Sequence, residues 1–163
     1  MREFMGFPRT ICDCELCAMS CKFIPGYLMI EDLILMAQFL GYSNLLECAE
    51  ENLLASPGAL VSKGNQLHGI RTIVPARGEN EWCRFFDGRH CRIHPVASFG
   101  CALFDSHQDP RRSEEISKLG LMCIAAQWRM EENSLYCKVW NHLQGLGLIS
   151  PSPEGSSVYH AHC

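Results

Sequence analysis

Nineteen residues in the middle of the chain, Cys83 to Cys101, hold three cysteines (Cys83, Cys91, Cys101) and two histidines (His90, His94). A turn at Asp87-Gly88 would fold Cys83 back toward Cys91, because glycine accepts the positive φ that tight turns need. A second group lies upstream in Cys12-Asp-Cys14-Glu-Leu-Cys17-Ala-Met-Ser-Cys21, so seven of the eleven cysteines fall in two short segments. Cys14-x-x-Cys17 has the spacing at which two thiolates reach one ion, and Cys21 follows at a distance that a helical turn or loop can span. Gathered thiols and imidazoles make a soft-metal site, and we expect one such site, or two adjacent ones, to tie the segments together. Closing a loop of about sixty residues costs roughly 4 kcal/mol before the constant term, against roughly 10 kcal/mol of apparent metal-binding energy at structural thiolates.

Ligand type does not select the ion. Zinc takes four such groups in a tetrahedron, a 4Fe-4S cluster takes four thiolates, and seven cysteines with His90, His94 and His107 could also hold two ions. A dithiol redox role for Cys14 and Cys17 would call for a βαβ context, of which the sequence gives no sign. A cysteine nucleophile is formally available in Cys91 with His94 or His107, but a thiolate captured by a metal is no longer a free nucleophile.

The elements that must position these groups read as mainly α, an irregular metal-centred domain with at most one short sheet. Residues 1 to 25 look irregular. From Glu31 the residues Leu33, Ile34, Met36, Ala37 and Leu40 recur at helical spacing, and Gly41 supplies a stop. Ser43 caps a second helix with a stripe of Leu45, Leu46, Ala49, Leu53 and Leu54, ending before Ser56-Pro57-Gly58, with Cys48 as a buried small hydrophobe. Residues 58 to 80 predict one or two short strands. Ser113 starts a long helix to about Met130 with Ile116, Leu119, Met122, Cys123 and Ala126 on its core face, weakened at Gly120. Ser134 caps a last helix that ends at Gly145 and Gly147. Residues 1 to 149 form one domain on this reading, and 150 to 163 a flexible tail whose His160 and His162 could chelate a metal opportunistically.

The 163 residues suffice for one domain with a core of its own. Fourteen basic against eighteen acidic side chains give a net charge of −4, with no global basic field to draw in a nucleic acid. The longest apolar stretch, Tyr27 to Leu40, is short for a membrane span and interrupted by Glu31 and Asp32, and the N-terminus has no apolar run of secretory length. A cytoplasmic protein is the expectation, and in that reducing setting dense cysteines serve as ligands rather than disulfides.

These residues resemble the YkgJ-like cysteine-cluster family, described as zinc- or iron-chelating domains. The resemblance rests on Cys14, Cys17 and Cys21, on Asp32 with Leu40-Gly41, on Cys83-Arg-Phe85, on Gly88, Cys91 and Ile93, and on Cys101 with Phe104. It covers about residues 12 to 104. Ser20 stands where the family has the first cysteine of a doublet, His94 where it has tyrosine, and Ala97-Ser98 where it has Arg-Pro. The resemblance implies a metal-chelating protein with Cys14, Cys17, Cys21, Cys83, Cys91 and Cys101 as ligands, Cys12 and His94 as additional candidates, and iron-sulfur chemistry as the alternative. A third alternative is an adaptor in which the metal is a staple and the C-terminal helices, through Trp128, Tyr136 or Trp140, dock a protein partner.

Overall fold

The computed structural model describes residues 14–23, 25–63, 65–102, 107, 109–130, 134–151 and 159–161. The element order is α1 (Glu15–Phe23), α2 (Ile30–Leu40), α3 (Leu45–Asn52), β1 (Leu53–Lys63), β2 (Gln66–Pro75), a 3₁₀ turn (His94–Val96), α4 (Phe99–Ala102), α5 (Pro110–Met130), α6 (Leu135–Gly145) and β3 (Tyr159–Ala161). The fold is therefore mixed α/β with substantial helix, and the expectation of a mainly α domain holds only for its helical part.

Several boundaries differ from the sequence reading for physical reasons; α5 starts at Pro110 rather than Ser113, with Asp109 Oδ1 accepting from Arg112 N at 2.9 Å. The segment after Cys14 is a helix rather than irregular chain, with Glu15 in its first turn and Lys22 in its last, both favourable to the helix dipole. The cap of α3 is Asn44, whose Oδ1 accepts from Leu46 N at 3.0 Å, one residue beyond Ser43. Leu53 and Leu54, which prolong the helical stripe of α3, instead open β1.

β1 and β2 form an antiparallel hairpin, Leu53 opposite Pro75 through Lys63 opposite Gln66, with a register shift between Ser56 and Ala59. Pro57-Gly58 thus sits inside a strand as an irregularity and does not end the element. The β3 backbone lies parallel to the far end of β1, with Val61 opposite Tyr159.

Helix α2 buries Leu33, Met36 and Ala37 and ends at Gly41, whose φ of 80° lets Tyr42 N donate to Ala37 O at 2.9 Å. Helix α6 starts at Ser134, whose hydroxyl accepts from Cys137 N, as the sequence predicts. Its inner face carries Tyr136, Val139, Trp140 and Leu143 into the core. The Tyr136 hydroxyl accepts from Ile73 N at 2.8 Å and donates to Leu28 O at 3.1 Å, joining α6 to β2 and to the segment before α2. Trp140 Nε1 donates to Ser56 O, Trp128 Nε1 donates to Arg71 O, and the Arg71 guanidinium lies against both indoles. Tyr136 and Trp140 are thus core residues, which removes them from any docking surface on the C-terminal helices.

The buried face of α5 also differs. Ile116, Ser117, Gly120, Leu121 and Ile124 point inward, while Leu119 and Met122 are 47% and 60% exposed and Cys123 is exposed. The cause is close packing at Gly120, where a Cβ would stand 2.5 Å from Phe99 Cε1 and 2.5 Å from the Tyr27 hydroxyl. The helix turns its side-chain-free position to that contact, and Leu119, Met122 and Cys123 rotate outward. No helix among the described residues is long and apolar enough to cross a membrane.

Candidate metal centre

The first group of ligands comes from α1 and from the chain beyond α4. Cys14 stands at the start of α1, where Ala18 N donates to its carbonyl at 3.1 Å and Cys17 N to its Sγ at 3.5 Å. Its sulfur thus takes the place of a capping oxygen at a helix N-terminus. Cys17 is one turn on and is the buried residue of α1, at 9% exposure. His107 is exposed, and one ligand atom each of Cys14, Cys17 and His107 lies within 4.8 Å of the other two. Zinc bonds of about 2.3 Å to sulfur and 2.0–2.1 Å to nitrogen would need these atoms only about 1 Å closer. The group can hold a metal.

The second group is built on the central stretch. Gly88, with φ 104°, makes the Asp87-Gly88 turn, and Asp87 Oδ1 accepts from Arg89 N at 2.9 Å and His90 N at 2.7 Å. These two backbone donors hold the Asp87 carboxyl below its ordinary range. Phe86 bridges Cys91 and Arg92 N donates to Phe85 O, so the chain doubles back as the sequence predicts and sets Cys91 beside Cys83. Cys83 N donates to Lys22 O at 2.8 Å, which joins this turn to α1 next to Cys21.

The sulfurs of this group receive polar hydrogens. Phe85 N and Phe86 N face Cys83, Ile93 N faces Cys91, and Gly26 N reaches Cys101 Sγ at 3.3 Å. The buried Ser98 hydroxyl lies 2.9 Å from both Cys101 Sγ and Gly26 O, and its single proton serves one at a time. Burial pushes the Cys83 thiol up to about 11 and Cys91 to about 12; the charges of Cys101, Cys83 and Cys21 add to the rise at Cys91. Three other sulfurs are therefore within electrostatic reach of Cys91.

The alignment of the three approaches depends on a backbone crossing. Gly26 and Gly100 pass so closely that a Cβ on Gly26 would fall on the Cys101 amide and 2.7 Å from Gly100 Cα. Gly100 N donates to Tyr27 O at 2.9 Å, and Asp32 Oδ2 accepts from both Met29 N and Phe99 N, fixing α4 against the start of α2.

Of the residues expected as ligands, Cys14 and Cys17 meet with His107 within 4.8 Å, while Cys21, Cys83 and Cys101 are near enough to Cys91 to act on it electrostatically but do not form such a group with it. Cys12 and Phe104 lie outside the described residues, as do His162 and the side chain of His160. His94 opens the 3₁₀ turn, with its N–H donating to Cys91 O, and is not a member of the Cys14–Cys17–His107 group. His107 is the ligand that spacing did not single out, since the sequence shows it only as one of several histidines near the cysteines. No disulfide joins the described cysteines, and the antiparallel hairpin is not the βαβ setting of a dithiol redox motif. No protein-family model matches the chain, and no curated protein or solved structure is significantly similar to it, which leaves side-chain geometry as the ground for a functional reading.

Proposed function

We propose that this is a metal-binding protein in which the two cysteine clusters jointly coordinate zinc or iron. The observation that carries the reading is the meeting of Cys14 and Cys17 of the first cluster with His107, six residues past the last cysteine of the second, within 4.8 Å. Helix α1 gives the physical reason for an ion there. It has nine residues, buries only Cys17, and exposes Leu16 at 69%, Met19 at 46% and Phe23 at 39%. Helices shorter than about 12–15 residues are marginal without tertiary support, and a bound ion is worth roughly 10 kcal/mol at structural thiolates. The metal would thus pin α1 onto the centre, assisted by the Cys83–Lys22 hydrogen bond and by Lys22 Nζ, 3.7 Å from the Trp82 ring centroid.

The reading agrees with the resemblance to the YkgJ-like family, from which it takes the choice between zinc and iron. The thiol-rich second group is also the ligand type of an iron-sulfur cluster. Limited trypsin digestion at Lys22 tests the reading. Removing metal with a chelator should speed cleavage there, and Cys17→Ser and His107→Ala should be cleaved fast without chelator. Equal cleavage rates in all four samples would refute it.

A further inference from the structure

We infer that Arg71, aimed by a bulge in the hairpin and clamped by two indoles, is a binding site for a carboxylate. The inference goes beyond the metal-binding reading and uses none of its ligands.

The placement begins with the irregularity in β1. Thr72 pairs with Ser56 and Ile70 with Ala59, so Arg71 stands opposite two extra residues, Pro57 and Gly58, rather than opposite a partner of its own. A bulge bends its strand and re-aims the side chains beside it, a device that recurs next to active sites. This one cannot drift. Gly58, with φ 111°, lies so close to the Ile70–Arg71 peptide that a Cβ there would stand 2.8 Å from Arg71 N and 1.8 Å from Ile70 O. On the other side, Trp128 Nε1 donates to Arg71 O at 3.1 Å.

The side chain is held as firmly as the backbone. Its guanidinium carbon lies 5.2 Å from the centre of the Trp128 ring and 5.0 Å from that of Trp140. The two indoles meet edge to face, with centroids 5.5 Å apart. Neither ring is free to turn away, because each N–H is bound to a backbone carbonyl, that of Trp140 to Ser56 O at 3.0 Å. Ordering a long side chain is a large part of what binding costs an arginine, and here the fold has already ordered it. Arg71 is nevertheless exposed, and among the described residues no carboxylate takes its charge.

The chemistry of the site selects its ligand. Contact with the rings uses the face of the guanidinium and leaves the in-plane N–H donors for an acceptor. Two parallel N–H groups match the two oxygens of a carboxylate, one charge against one. A phosphate dianion calls for more cation than a single guanidinium supplies, and the chain as a whole carries −4. The indole wall lowers the local dielectric, which strengthens a charge-assisted hydrogen bond relative to open water.

Acetate titration of the isotope-labelled full chain, followed by two-dimensional NMR at constant ionic strength, tests this. The three tryptophans give three indole N–H signals. Those of Trp128 and Trp140, with Arg71 Nε–H, should shift saturably, while Trp82 stays in place and shows that each variant is folded. Arg71→Gln should abolish the shifts. Arg71→Lys keeps the charge and loses the fork, and should bind acetate about fivefold more weakly or worse. A blocked peptide with one glutamate that binds more tightly than acetate would identify a protein as the source of the carboxylate, and equal affinity a small free acid. No saturable shift in wild type, shifts that persist in Arg71→Gln, wild-type affinity in Arg71→Lys, or phosphate bound more tightly than acetate would each overturn the inference.

Discussion

Replacing Gly26 by alanine perturbs the backbone crossing on which Cys101 depends. The added methyl would collide with the Cys101 amide and the Gly100 carbonyl carbon and sit 2.7 Å from Gly100 Cα. Over-packing a filled interior costs about 1–3 kcal/mol when side chains can yield. Here the obstacle is backbone, and Gly100 N is committed to Tyr27 O, so relief requires α4 to move as a unit. We expect the upper end, about 3 kcal/mol, which at about 2–4 °C per kcal/mol for a chain of this size lowers Tm by roughly 10 °C. The movement also withdraws Cys101 Sγ from the Gly26 N–H, so metal affinity should fall together with stability. Thermal unfolding followed by circular dichroism, with and without bound metal, reads both effects. Gly69→Ala is the control, because a Cβ there meets nothing within 4 Å, and its stability should change by no more than about 0.5 kcal/mol. If Gly26→Ala melts with Gly69→Ala, the close crossing is wrong and Cys101 is not held against Gly26.

Gly120→Ala separates helix propensity from packing. Propensity alone predicts a gain of about 1 kcal/mol in mid-helix, whereas contact with Phe99 and Tyr27 predicts a net loss of about 1 kcal/mol, read from urea unfolding. Tyr136→Phe leaves the buried Ile73 N–H without its acceptor and should cost about 1–3 kcal/mol by the same assay; an unchanged midpoint would contradict the bridging role. Burial chiefly, with the Glu51 charge, raises the Cys48 thiol from 9.0 to about 11, so the folded state holds its proton more tightly than the unfolded one. That contribution is fully present below pH 9 and lost as pH rises through 11, a loss of no more than about 3 kcal/mol. Cys48→Ala should flatten the decline of stability over that window, and an identical slope in the variant would remove Cys48 as its cause.

Where local chemistry decided the structure, the sequence was readable. Gly41 ends α2, Ser134 caps α6 through its hydroxyl, and the Asp87-Gly88 turn returns Cys91 to Cys83, each through a hydrogen bond made within a few residues. Where tertiary contact decided it, the sequence misled. Leu53 and Leu54 fit a helical stripe, yet pairing with Pro75 and Val74 takes them into a strand. Leu119 and Met122 look like core residues, yet the approach of Phe99 to Gly120 turns them outward. Helix α1 escaped notice because its apolar residues face solvent; its signal was in the cysteines, since positions 14, 17 and 21 share the spacing of one helical face. His107 needed the third dimension, because nothing in the polar segment around it fixes where its ring lies.

The most direct test of metal binding by the two clusters is metal analysis of protein purified without oxygen, with acid-labile sulfide and ultraviolet-visible absorption measured on the same sample. The account predicts zinc or iron bound in stoichiometric amount, and iron accompanied by sulfide would identify a cluster on the same cysteines. Protein that carries neither metal, and still binds neither after reconstitution with each, would contradict it.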